Sequence, residues 1–192
     1  MKITTKEMIL VSFFAALSVV AAMVSKYGGE AVVPFSLMPL ITMLAGVLLG
    51  GRLGALSILV YILLGIVGLP VFAKPPYGGL GYFLQPTAGF IFGFMAGAWA
   101  IGVCMERLNR KKISSYLLAS LVGLVVIYLI GLPYLYFVLN YYVGANFSIT
   151  GVLQIALLPY IGFDLAKVVI ASVLGLKIYE RLSSSNLIGH SN

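Results

Sequence analysis

ISSYLLASLVGLVVIYLIGLPYLYFVLNYYVGANFSITGVLQIALLPYIGF, residues 113–163, is a run of 51 residues without one Asp, Glu, Lys or Arg. A charge-free apolar run this long cannot be coated by water, and stretches of 18 or more such residues read as membrane spans. The next run back, Pro75 to Met105, adds another 31 uncharged residues. Over the whole chain of 192 residues, 61% are hydrophobic and 9% charged, against roughly 25% charged in an average soluble domain. These numbers exclude a soluble enzyme, a nucleic-acid-binding domain and a disordered chain. They leave an all-α integral membrane protein, folded as one compact bundle.

The punctuation within the apolar sequence predicts six transmembrane helices. The first runs from about Met8 to Ser25. The second and third, Leu37–Leu49 and Leu53–Ile66, are joined by Gly50-Gly51-Arg52. The fourth runs from Pro86 to Glu106, with proline at a position where its missing N–H has no partner to lose. The fifth starts near Ser114, and Gly131 and Pro133 are expected to kink it before it ends between Val138 and Tyr142. The last apolar stretch, Thr150 to Leu182, would measure about 50 Å as one helix, too long for a ~30 Å hydrocarbon core. The break signal Pro159-Tyr160-Ile161-Gly162 divides it into a short surface helix, Ser148–Leu158, and a sixth span, Gly162–Leu182. One transmembrane domain over residues 1–182 and a polar cytoplasmic tail over 183–192 follow.

Six spans place both termini on one side, and the basic residues say which. With the termini cytoplasmic, the inner face holds Lys2, Lys6, Arg52, Arg107, Arg110, Lys111, Lys112, Lys177 and Arg181, and the outer face only Lys26 and Lys74. That is the positive-inside pattern, and it accounts for the net charge of +7 without a polyanionic partner.

Single-copy residues narrow the chemistry. Cys104 is the only cysteine and lies in an apolar segment, as a small packed hydrophobe would. His190, the only histidine, falls in the polar tail, so a histidine-ligated metal is not expected. No phosphate-binding lysine loop and no nucleophile–base pair is visible, so no enzyme activity is expected.

Three features carry functional information. The first is Asp164 and Lys167, the only two charged residues between Ile113 and Leu176, three apart and so on one helical face. Charges within a span cost roughly 2.5–3.5 kcal/mol each on insertion scales. The pair is either an acceptor and donor for a polar ligand or an internal ion pair, and its predicted place at the start of the sixth span would give Asp164 the positive helix N-terminus. The second is the connection from Gly65 to Pro86, where Gly68, Gly78, Gly79 and Gly81 alternate with Phe72, Tyr77, Tyr82 and Phe83. Glycine lets backbone approach a ligand, and aromatics give flat apolar walls, so this is a binding loop or a structured cap. The third is the small-residue surface of the first span, Ser12, Ala15, Ala16, Ser18 and Ala22, which permits close helix approach within the bundle or against a partner.

Read together, Val33-Pro34-Phe35, Leu44-Ala45-Gly46, Arg52-Leu53-Gly54-Ala55, the run Leu64-Gly65-Ile66-Val67-Gly68-Leu69-Pro70-Val71-Phe72-Ala73, Gly78-Gly79, Pro86-Thr87-Ala88-Gly89-Phe90 and Asp164 with Lys167 resemble the BioY family. These are the biotin-specific substrate-binding (S) components of energy-coupling-factor (ECF) transporters. The resemblance runs from the first span to the sixth. It implies a multi-pass plasma-membrane protein that captures biotin at the outer face and releases it inside, working with a transmembrane coupling protein and two ATPase subunits. It implies no cofactor, biotin being the transported ligand. It further implies that Ser12, Ala15, Ala16, Ser18 and Ala22 meet the coupling protein, although Ser stands at two positions of the Ala-xxx-Ala form. Asp164 and Lys167 would anchor biotin at either its ureido or its carboxylate end. Phe35, Phe72, Tyr77 and Tyr82 would serve as walls, Gly78 and Gly79 as close backbone, and Gln85 and Thr87 as hydrogen-bond partners. An S component for thiamine or riboflavin, or a stand-alone facilitator, are the readings that biotin binding must displace.

Overall fold

The structure, a computed structural model, describes residues 3–27 and 36–184. Phe35, the Val33-Pro34-Phe35 motif and all but the first two residues of the 183–192 tail lie outside the described residues. Within them the secondary structure is helical throughout.

Helix α1 spans Thr5–Tyr27. It opens on a capping box: the Thr4 backbone N–H donates to Glu7 Oε2 at 2.7 Å, and the Glu7 N–H donates to Thr4 Oγ1 at 3.3 Å. The next helical stretch, Met38–Ile66, is divided at Gly50, whose φ of 81° and ψ of 175° are non-helical. The two arms, α2 (38–49) and α3 (51–66), fold back on each other, because a Cβ on Gly54 would lie 3.0 Å from the Ala45 carbonyl oxygen. In one straight helix those residues would be about 13 Å apart. Gly50-Gly51-Arg52 is therefore the turn of a helical hairpin. That backbone region is open essentially to glycine alone, and a Cβ there would meet nothing closer than 3.7 Å, so the cost of a side chain is conformational rather than steric. Gly50→Ala is expected to destabilise the bundle by about 1–3 kcal/mol, measurable as a lowered thermal unfolding midpoint in detergent.

Helix α4 (Gly89–Arg107) follows a 3₁₀ turn at Pro86–Ala88, and α5 (Ile113–Phe137) stays helical through Pro133 before relaxing into a π turn at Val138–Tyr142. A π turn is one way a helix absorbs a disturbed hydrogen-bond ladder. The short α6 (Ile149–Ala156) is capped by Ser148, whose Oγ accepts from the Gly151 N–H at 3.0 Å. Helix α7 (Leu158–Ser184) leaves α6 at a bend of 49°. Here the boundary differs from the sequence expectation. The break falls at Leu157, and the Pro159–Gly162 signal lies inside the first turns of α7, where proline costs no hydrogen bond.

Among the described residues, four helical stretches are long and apolar enough to cross a bilayer, and α6 with α7 would make a fifth. One of the four, Met38–Ile66, is the hairpin α2–α3, so the described residues form six principal helices. What packs them is bare backbone, as expected where lipid is as apolar as the helix faces. Gly89, Gly93 and Gly97 of α4 sit against Tyr134 and Ile127 of α5, with a hypothetical Cβ at 2.2–2.8 Å from them. Gly46 of α2 lies under Ile101 of α4, and Gly102 of α4 lies on the hairpin turn itself.

Candidate functional site

Asp164 and Lys167 lie on α7 and are only 5% and 8% exposed. Lys167 Nζ donates to Asp164 Oδ1 at 2.6 Å. The other carboxylate oxygen, Oδ2, accepts from the Tyr128 hydroxyl of α5, also at 2.6 Å. The Tyr128 bond has the length expected of a charge-assisted O–H···O bond, and the Lys167 bond is at the short limit for an ammonium on a carboxylate. Asp164 lies further from its helix N-terminus than the sequence predicts. Because α7 begins at Leu158, Asp164 is in the second turn, and helix-terminus stabilisation fades within the first. Its compensation comes from Lys167 and Tyr128.

The Tyr128 ring is itself held. Phe90 of α4 meets it edge-on, with centroids 6.0 Å apart and planes at 89°. Phe90 reaches this position over Gly131, where a Cβ would come within 2.4 Å of the phenyl ring. Phe90 packs against both apolar clusters of the bundle, one beneath the α3–α4 connection and one around Val168, Ala171 and Tyr128.

The connection between α3 and α4 forms a structured cap. Phe72 is fully buried and lies against Tyr82, with centroids at 4.2 Å and planes tilted by 35°, while Tyr61 of α3 meets it edge-on at 5.6 Å. The Phe72 ring fills the space left by Gly65, where a Cβ would fall 2.0 Å from it. Gly78 is bare because the cap crosses itself there, where a Cβ would fall 2.3 Å from the Leu69 carbonyl oxygen, and the Gly79 N–H donates to the Gly65 carbonyl at 2.7 Å. Tyr77 adopts a positive φ of 66°, uncommon for a bulky residue, and its ring lies 3.9 Å from Lys26 Nζ at the end of α1. Burial pushes the Tyr82 hydroxyl up to about 12, with the Thr87 side chain opposing part of that rise, so it remains a donor at physiological pH.

Cap and ion pair belong to the same end of the bundle. The Tyr134 hydroxyl donates to the Phe83 carbonyl, which fixes the C-terminal end of α5 against the cap. Tyr128 lies six residues, or about 9 Å, further along α5 from that contact. The structure therefore gathers Asp164, Lys167 and Tyr128 into one polar point, with Phe90 against the tyrosine ring, and Phe72, Tyr82, Gly78 and Gly79 into the cap at the same end of the bundle. Gln85 and Thr87 lie at the 3₁₀ turn that leads into α4.

The small residues of α1 divide. Ala15, Ser18 and Ala22 are buried in the bundle, Ser18 Oγ donating to the Phe14 carbonyl at 2.9 Å. Ser12 and Ala16 are exposed, on a surface that includes Ile9, Phe13 and Val20.

The BioY family profile matches residues 1–184. The chain belongs to the BioY family. A probable biotin transporter BioY of Lysinibacillus sphaericus is 35% identical over 185 residues, covering 96% of this chain and 92% of that one. The biotin transporter BioY of Thermotoga maritima is 36% identical over 173 residues, covering 90% and 95%. In fold, the chain is similar to the crystal structure of an S-component for biotin from an ECF-type ABC transporter, with a TM-score of 0.74 at 22% identity over 93% of this chain and 95% of that one. BioY membership and the apolar helices make it a multi-pass membrane protein. Tyr128 carries no mark of its own in the sequence, and Phe90 stands there only as the last residue of the Pro86-Thr87-Ala88-Gly89-Phe90 stretch. The signal available for Tyr128 was general: a hydroxyl inside a span needs a partner, and the nearest unfilled need was a carboxylate.

Proposed function

We propose that this chain is the biotin-capturing S component of an ATP-driven ECF importer, a binding subunit rather than an enzyme. It would take biotin at the outer face and pass it inward when joined to a transmembrane coupling protein and two ATPase subunits. The observation that carries the reading is the buried Asp164–Lys167 pair at the end of the bundle that bears a glycine- and aromatic-rich cap, in a BioY chain. The excess of basic residues on the face that holds both termini supports the orientation. The exposed Ser12 and Ala16 of α1 remain the best candidates for the coupling-protein contact.

Charge decides which end of biotin the pair reads. Asp164 and Lys167 together are neutral, so a carboxylate brought against them would carry an uncompensated negative charge into a buried site. The ureido ring is neutral and offers two N–H donors and a carbonyl acceptor, matching the spare acceptor sites of Asp164 and the remaining donors of Lys167. Tyr82, Tyr77, Gly78, Gly79, Gln85 and Thr87 would close over the apolar part of the ligand, with Phe72 supporting the cap from below.

Equilibrium binding of biotin to the purified, detergent-solubilised protein tests this. Biotin is expected to bind below micromolar concentration and not to be displaced by thiamine or riboflavin; no binding at micromolar biotin overturns the assignment. Biotin methyl ester is expected to compete within about tenfold of biotin. If Lys167 met the carboxylate instead, the ester would lose one charge-assisted bond, roughly 10- to 150-fold in affinity.

A further inference from the structure

We propose that Tyr128 is a positioning residue for the binding site, acting through Asp164 rather than by filling space. The proposal rests on the reading of Asp164 and Lys167 as biotin anchors. Lys167 grips the carboxylate from the same helix, one turn away, so it moves with α7 and cannot by itself fix Asp164 relative to the rest of the bundle. Tyr128 grips it from α5, on the opposite oxygen, at 2.6 Å. With Oδ1 and Oδ2 held by donors on two different helices, the carboxylate cannot rotate without breaking one short bond. Its remaining lone pairs, and the remaining N–H donors of Lys167, are then presented in one fixed arrangement.

The hydroxyl is what the site requires of this side chain. A phenylalanine ring would fill the same space without the penalty of a buried polar group, so the O–H has to be compensated by what it bonds. The ring is packed edge-on against Phe90, which is itself seated over Gly131. A chain of contacts thus runs from the glycine of α5, through the first turn of α4, to the tyrosine and then to the carboxylate of α7. Each link has a bare, apolar or hydroxyl character that the next requires.

The test is a double-mutant cycle on the full-length protein, with biotin as the probe. Tyr128→Phe is expected to weaken biotin binding roughly tenfold, because a carboxylate no longer held from α5 must be ordered when the ligand binds. In the Asp164→Asn background the same change is expected to have little further effect, because the group it positions is already gone. A second readout is independent of affinity: the infrared carboxylate stretch that Asp164→Asn removes is expected to shift in Tyr128→Phe. Should Tyr128→Phe alone fold poorly, the Tyr128→Phe/Asp164→Asn double variant, which leaves no carboxylate short of a donor, is compared with Asp164→Asn. Wild-type affinity in Tyr128→Phe, an unshifted band, or the same loss in both backgrounds overturns the positioning role. Failure of the underlying reading looks different: wild type does not bind biotin, or Asp164→Asn binds as tightly as wild type.

Discussion

Replacing Gly102 by valine is expected to abolish recovery of folded, monodisperse protein. A Cβ at this position would lie 1.9 Å from the Gly51 nitrogen, 2.2 Å from the Gly50 carbonyl carbon and 2.4 Å from the Gly51 Cα. All three are backbone atoms, so no side chain can rotate away to make room. Nor can the turn itself retreat easily. Gly50 is held at a φ of 81°, and its two arms are packed backbone to backbone at Ala45, Gly46 and Gly54. Overpacking against adaptable side chains typically costs 1–3 kcal/mol, and contact with fixed backbone is expected to exceed about 3 kcal/mol. Gly162→Ala is the matched control. Gly162 is also helical, in α7, but a Cβ there meets nothing within 4 Å, and alanine is the better helix former by up to about 1 kcal/mol. Thermal unfolding in detergent should leave Gly162→Ala at or above wild type, while Gly102→Ala falls and Gly102→Val yields no cooperative transition. A Gly102→Val protein as stable as wild type would mean that α4 does not cross the hairpin at its turn.

How much of this was legible beforehand depended on whether a residue's partner was local. The charge-free run 113–163 required membrane helices whatever the tertiary arrangement. The hairpin was legible because Gly50-Gly51-Arg52 interrupts two apolar arms, each too short for a comfortable span. The start of α7 was not. Proline signals a boundary without saying on which side of it the helix lies, and here it sits in the first turn of the new helix. The direction of the α1 face was also hidden. In water, an apolar face points inward; in lipid, Phe13 and Val20 can face outward as readily as Val11 and Phe14 face the bundle, so the small residues carried no label of side.

The site shows the same division. Asp164 and Lys167 were found by scarcity, since no other charge lies within the spans around them. Tyr128 was not, because it is one of 12 tyrosines and its partner is 36 residues away along the chain. The cap aromatics were legible as a group but not in their roles. Phe72 reads in sequence as a candidate ligand wall, and the missing side chain at Gly65 gives its ring an interior place beside Tyr61 and Tyr82. A glycine's meaning is set by what fills the space beside it, and that filler can be as near as Phe72 is to Gly65 or as far along the chain as Phe90 is from Gly131.

Lys167→Ala and Asp164→Asn are each expected to weaken biotin binding tenfold or more, and each also to destabilise the bundle. Either change strands a buried charge: a carboxylate left with the Tyr128 hydroxyl alone, or an ammonium left without its anion. Breaking one side of a buried pair typically costs about 3–5 kcal/mol. Single variants therefore mix a folding defect with a binding defect, and cannot by themselves distinguish a ligand anchor from a structural pair. The double variant Asp164→Asn/Lys167→Met separates the two. It removes both charges while keeping similar volume, and such replacements of buried ion pairs are often neutral or stabilising. Its unfolding midpoint is expected to return to about the wild-type value. Its biotin affinity is not, because asparagine and methionine cannot offer the ureido ring charge-assisted bonds worth about 1.5–3 kcal/mol each. A double variant that folds like wild type yet binds at least tenfold more weakly makes the pair a binding device. One that recovers both stability and affinity reduces it to an internal staple between α7 and α5, and the anchors for biotin would then have to be sought in the cap, at Gln85 and Thr87.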